Sequence, residues 1–362
     1  MSRTVYVHIG APKTGTTYLQ DRLSRNARTL ASNGVHVPSG SVFHSPALFH
    51  FRAALDLLDQ DWGGEPGHAE GSWSTMVRQV RRRSDTVVIS HEILAPAPPE
   101  KIAKLRNDLQ GSEIHIVYSA RDLGRQLPAA WQESIKQGRR WKFARFLEKA
   151  EKGDAWFMRA FDLPTVLNHW SRDLPPERVH VVTVPPAGAP NTELWHRFCR
   201  VFGIDPVWAP LESERANESL GIAETQLLRE LNSRIDRRVR RSAPHDQLIA
   251  DLLVHSELGA RKSTKVQVPP DRHPWAAEQA DRWIDWIKGS GVDVIGDGDD
   301  LRPIPPDPDA RWHDPDTVSN KALARAAIDA LTVMTREAAS RPDPRRELGA
   351  RLRKRAKQLR ER

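Results

Sequence analysis

The chain has 362 residues, of which 39% are hydrophobic and 28% charged, which is enough to bury a sizeable core and excludes wholesale disorder. Its net charge of +8 is concentrated at the C-terminus, where residues 345–362 hold nine Lys/Arg against two Asp/Glu, so the nearly neutral body is not expected to bind nucleic acid. The single cysteine, Cys199, excludes an intrachain disulfide and a Cys-rich metal site, and the absence of an apolar run of about 18 residues leaves no transmembrane helix to expect.

In chain order, Val5–Ile9 reads as a buried strand and 10–15 as a tight loop. One helix is expected from Thr16 to about Ala31, then a short strand Val35–Val37. Residues 41–84 read as mostly helical, interrupted at 63–67. The β-branched run Thr86–Ser90 is a second buried strand. A helix over about 100–109, a strand Glu113–Tyr118 and a helix from Asp122 to about Gln137 follow. A strand Arg178–Val184 and a helix from about Asn191 to Phe202 complete the alternation. Strands alternating with helices predict an α/β fold, a doubly wound parallel sheet flanked by helices. Beyond residue 205 strand signals fade, and 222–240, 245–258 and 276–289 read as helices. The expected organisation is an α/β domain over 1–300, a Pro/Asp-rich linker over 301–317 and a basic helical extension over 318–362. In that extension Leu323, Ala327, Leu331 and Met334 form one apolar face, and Leu348, Leu352 and Leu359 another.

The segment His8-Ile9-Gly10-Ala11-Pro12-Lys13-Thr14-Gly15-Thr16-Thr17 joins the first strand to the first helix. Such a junction aims backbone N–H groups and the positive end of a helix at an anion. Gly15 permits close approach of the main chain, Thr16 and Thr17 add hydroxyl donors, and Lys13 adds a cation. Lys13 precedes Gly15 by two residues, which departs from the order of a Walker A loop. The order Pro12-Lys13-Thr14-Gly15-Thr16-Thr17 resembles the phosphosulfate loop of sulfotransferases that use 3′-phosphoadenosine 5′-phosphosulfate (PAPS). The resemblance implies a P-loop-like fold. It also implies Lys13 at the sulfuryl group and its bridging oxygen, with Gly15, Thr16 and Thr17 around the 5′-phosphate.

The same family holds the 3′-phosphate with an Arg after a later strand and a Ser eight residues on. Here Arg121 follows the strand, and guanidinium suits phosphate. The position eight residues on is Ala129, so the serine is missing; Ser119, Arg125 and Gln132 are the nearby substitutes. Arg121 can also be read as a helix-start ion pair with Asp122. The resemblance spans roughly residues 3–205. A further fragment, Arg215-Ala216-Asn217-Glu218-Ser219, is similar to a late segment of bacterial members, or is a helix start capped by Asn217 or Ser219.

Transfer of a sulfuryl group to a hydroxyl calls for a base. The strand 86–90 runs into His91 and Glu92 at its carboxyl end, where a doubly wound sheet gathers its reacting groups. Glu92 is the first choice and His91 the second, while His36, His44 and His50 carry low weight. Residues 38–75 and 131–160 are expected to line the acceptor site and carry Phe43, Phe49, Phe51, Trp62, Trp73, Trp131, Trp141 and Trp156, although core packing accounts for most such rings. The expected activity is therefore PAPS-dependent sulfation of a hydroxyl on a carbohydrate, lipid or small molecule, with PAP as product, no metal, and a cytoplasmic location. The alternatives are an Mg-dependent kinase-type phosphoryl transfer and a non-catalytic nucleotide-binding protein on the same fold. The basic tail can solvate the end of the chain or touch an anionic membrane surface.

Overall fold

The computed structural model describes residues 3–40, 45–153, 157–215, 220–240 and 263–341. The expected helix over 245–258 and the basic stripe over 345–362 lie outside these residues, as do His44, Phe43, Trp156 and residues 216–219 of the late fragment.

Six strands form one parallel sheet: β1 (Arg3–Gly10), β2 (Val35–His36), β3 (Thr86–Ser90), β4 (Ser112–Ala120), β5 (Val179–Thr183) and β6 (Asp293–Ile295). Their order is β2-β3-β1-β4-β5-β6. The fold is thus α/β, with a parallel sheet flanked by helices. The β-branched runs explain the middle of the sheet. Val5, Val7 and Ile9 of β1, Val87 and Val88 of β3, and Val179, Val181 and Val182 of β5 are all fully buried, as strands covered on both faces must be. On one face, Trp195, Phe198 and Phe202 of the helix Glu193–Phe202 pack with Leu19 and Leu23 of the helix Thr16–Arg25 over Val88, Val117 and Val182. Cys199 is free and buried in this layer, and burial pushes its thiol up to about 12, so it stays protonated.

Two local expectations are corrected. The helix expected from Thr16 to Ala31 is two helices, Thr16–Arg25 and Ala27–Ser32, broken at Asn26. The Asn26 amide donates to the Arg22 and Leu211 carbonyls (both 2.8 Å) and accepts from Leu211 N–H (2.9 Å), so the break fastens a distant segment. The sheet also gains β6, which the fading strand signals beyond residue 205 did not announce. The stretch 303–317 contains no helix or strand, yet it is tied down. Asp316 accepts the N–H groups of Phe143 (2.9 Å) and Ala144 (3.0 Å), and Trp312 donates to the Gln267 carbonyl (3.1 Å).

Two compact units divide the chain: 1–134, 141–217 and 266–316 in the first, and 135–140, 218–265 and 317–362 in the second. The first contains the whole sheet. In the second, the helix Ile222–Arg234 packs with the helix Asn320–Ser340. The latter buries Ala326, Ala330 and Val333, whereas Leu331 and Met334 of the expected apolar face are exposed. The helix Ile222–Arg234 starts after Gly221. No helix among the described residues is long and apolar enough to cross a membrane.

Candidate active site

β3, β1 and β4 are neighbours and run parallel, so their carboxyl ends lie side by side. That register delivers three sequence elements to one crevice: Glu92 just past β3, the loop 10–15 past β1, and Arg121 past β4. Gly10 has φ +115, and a Cβ there would lie 3.2 Å from the Cα and Cβ of Glu92. The loop therefore rests directly against the residue chosen as base. Gly15 has φ +90, a backbone that disfavours any side chain, and a Cβ there would push aside the tip of Leu194, 2.6 Å away. Lys13 also takes a left-handed backbone, at φ +66.

The loop is fixed from beneath through its carbonyls. Ser119 Oγ donates to Gly10 O (3.0 Å), the Thr14 hydroxyl to Ala11 O, Gln126 Nε2 to Pro12 O (2.9 Å) and Arg121 to Lys13 O (2.9 Å). Four successive carbonyls are thus engaged from within the protein, which turns acceptor oxygens away from an incoming anion. Ala11 N–H is held by Ser119 O at 2.9 Å. His8 lies below, with Nδ1 2.8 Å from Ser90 Oγ and Nε2 3.2 Å from Ser119 Oγ, and burial pushes it down to about 4, so it is neutral at pH 7.

This geometry sorts the expected phosphate contacts. Thr14 and Ser119 are fully buried and support the loop. Thr16 is buried, whereas Thr17 is exposed at the helix start. That helix has no side-chain cap and no acid in its first turn, which leaves its first N–H groups and positive end unopposed. Arg121 keeps a buried Nε without a hydrogen-bond partner, and burial, reinforced by the charge of Arg125, lowers its guanidinium to about 10. It remains cationic at neutral pH. Arg125 is committed elsewhere: its guanidinium pairs with Asp122 and donates to the carbonyls of Pro185 (2.8 Å) and Val184 (3.4 Å).

Glu92 opens a short 3-10 turn, Glu92–Leu94, and His91 precedes it as the cap, accepting from Ile93 N–H (3.3 Å). The strand's alternation ends there, and the His91 ring packs against Phe51, 5.1 Å between centroids. Gln20 donates to Glu92 Oε2 (3.1 Å), and His91 Nδ1 is 3.9 Å from the same oxygen. Burial works to raise the Glu92 carboxyl, but His91, its own backbone N–H, Gln20 and Lys13 outweigh it and hold the group below the usual glutamate value. Burial lowers His91 as well, against the pull of Glu92. At neutral pH the pair is a carboxylate beside a neutral imidazole.

Sequence reasoning missed Glu133, whose Oε2 lies 2.6 Å from Lys13 Nζ, with both side chains about one-third exposed at 33%. It also missed Gln20 and Gln126. A signal existed for part of this: Gln126, Ala129 and Glu133 are spaced i, i+3, i+7 on the helix Leu123–Lys136 and share a face. Of the histidines with low weight, His50 is buried, with Nε2 donating to Pro38 O (2.9 Å) and Nδ1 accepting from Ser90 N–H (3.2 Å), while His36 pairs with Asp85. Of the expected acceptor-site rings, Phe49, Trp73 and Trp131 are core.

No protein-family model matches the chain, and no curated protein matches it. Among solved structures, a sulfotransferase from Alicyclobacillus acidocaldarius is similar over 72% of this chain and 99% of its own, at 15% identity and a TM-score of 0.36. At that identity and score the likeness bears no weight on activity, and the reading of the site rests on its own geometry.

Proposed function

We propose that this protein is a sulfotransferase that passes a sulfuryl group from PAPS to a hydroxyl of its acceptor. The observation that carries the reading is the hydrogen bond from Arg121 to the Lys13 carbonyl. It joins at one point the two elements whose sequences resemble the donor contacts of that family. The residues fit the nucleotide. The uncapped helix start after Gly15 suits the 5′-phosphate, and the guanidinium of Arg121, with its unpartnered Nε, suits the 3′-phosphate. Bound PAPS supplies a sulfuryl group already activated by its anhydride bond to phosphate.

The chain's own groups then have distinct tasks. Glu92, held ionised, accepts the proton of the acceptor hydroxyl as the new S–O bond forms. Lys13 would offset the charge left on the departing phosphate. Gln20 orients the Glu92 carboxylate.

Calorimetric titration with PAP, ATP and ADP, each with and without Mg²⁺, tests the donor. The expected result is metal-independent binding of PAP that requires the 3′-phosphate and weakens at least about tenfold in Arg121→Ala. Mg²⁺-dependent ATP binding without a 3′-phosphate preference would instead favour the kinase reading.

A further inference from the structure

We infer that the turn at residues 59–70 is a platform for an uncharged, ring-bearing polyol, such as a neutral pyranoside, presented to Glu92. The chemistry at Glu92 rests on the sulfotransferase reading; the platform itself rests on separate observations. Trp62 is 47% exposed. Its ring meets Phe51 edge-on at 5.1 Å between centroids, and Phe51 meets His91 at 5.1 Å. An aromatic row therefore runs from the surface to the immediate neighbour of the proposed base.

The turn is built to hold this row. Trp62 Nε1 donates to Gln60 Oε1 (2.9 Å), its carbonyl is 3.2 Å from His68 Nε2, and Asp61 accepts Gly67 N–H (2.9 Å). Gly63 has φ +79, a Cβ there would press on the Phe51 ring at 3.2 Å, and a Cβ on Gly64 would lie 2.7 Å from the His68 ring. The backbone thus lies flat on two rings. An exposed indole fixed this way, with its N–H already satisfied, offers a face to the C–H side of a sugar ring. The same turn carries Asp59, Asp61, Glu65 and Glu70, and Lys101 pairs with Asp59. That surplus of carboxylates repels an anionic ring such as a uronic acid or an already sulfated sugar.

The test uses the full chain, with and without PAP, and saturation-transfer NMR with methyl gluco-, galacto- and mannopyranosides against methyl glucuronide. At least one neutral glycoside should bind more tightly than the glucuronide. Trp62→Ala should weaken it about three- to tenfold and Trp62→Phe less, with PAP affinity unchanged. Equal binding of the glucuronide, no loss in Trp62→Ala, or no binding of any neutral glycoside overturns the platform, whatever PAP does. Trp62-dependent glycoside binding in a protein that ignores PAP would keep the platform and remove the sulfotransferase reading.

Discussion

Lys13 sits between two carboxylates, and their different settings give them different consequences. Glu133 pairs with it directly, while Glu92 acts on it only through space. An anion arriving on the loop must share Lys13 with Glu133. The pair is about one-third exposed, so solvent screens it and its worth is about 1 kcal/mol or less. Glu133→Gln should therefore tighten PAP binding only about two- to fivefold, measured by calorimetry at low salt; weaker binding would mean that Glu133 positions Lys13 for the nucleotide rather than competing with it. Glu92→Gln should cost about 10²–10⁴ in kcat/KM with PAP affinity retained. Because the Glu92 carboxyl lies below the usual glutamate value, the acid limb of the wild-type profile should appear only below that value, and the rate should be flat from there to neutrality. A Glu92→Gln variant within fivefold of wild type would move the proton-accepting role to His91.

The elements show which parts of the architecture the sequence carries openly. β1, β3, β4 and β5 are runs of β-branched residues whose burial on both faces leaves no other reading, and the loop, Arg121 and Glu92 stand at their ends, where the chain order alone places them. β6 is different: it is three residues long, and Asp293 at its start is exposed. Its place depends on side chains far away in sequence. His180 Nδ1 is 2.7 Å from Asp293, and Arg197, nearly buried, bonds Asp300 (2.5 Å) just past the strand and also Thr183 at the end of β5. Gln20, Gln126 and Glu133 were illegible for the same reason, since each acts through a partner 72, 114 or 120 residues away. The Arg197 link carries a measurable cost. Asp300→Ala leaves a guanidinium only 11% exposed without its carboxylate at that end, although Glu193 and Thr183 remain. Destabilisation of about 3 kcal/mol is expected from urea unfolding at an unchanged m-value. A loss below about 0.5 kcal/mol would show that β6 is held by its backbone ladder alone.

At the scale of the whole molecule, stability and the site share one acid-sensitive point. Ser90, at the end of β3, bridges two buried histidines: its hydroxyl bonds His8, and its N–H donates to His50. Burial pushes both imidazoles from the ordinary 6.5 down to about 4. The unfolded chain takes up these protons near pH 6.5, whereas the folded chain refuses them until about pH 4. The stability they protect is therefore complete above pH 6.5 and is lost progressively as pH falls from 6.5 to 4, on the order of 3 kcal/mol for each. His91, also pushed down by burial, adds a loss of the same sign. Glu92, Asp162 and Asp300 are held below the usual carboxylate values, so their contribution is lost only at lower pH, and the two windows separate. Urea unfolding at pH 7.5, 6.5, 5.5 and 5.0 should give a plateau above 6.5 and a falling limb beneath it. His50→Gln can keep a donor toward Pro38 O and an acceptor toward Ser90 N–H but does not titrate, so it should flatten that limb by the share of one histidine. If the limb is unchanged in His50→Gln, the protons are taken up elsewhere. If it flattens, one share of the acid sensitivity belongs to the His50–Ser90 contact, between the loop on β1 and the Glu92 turn.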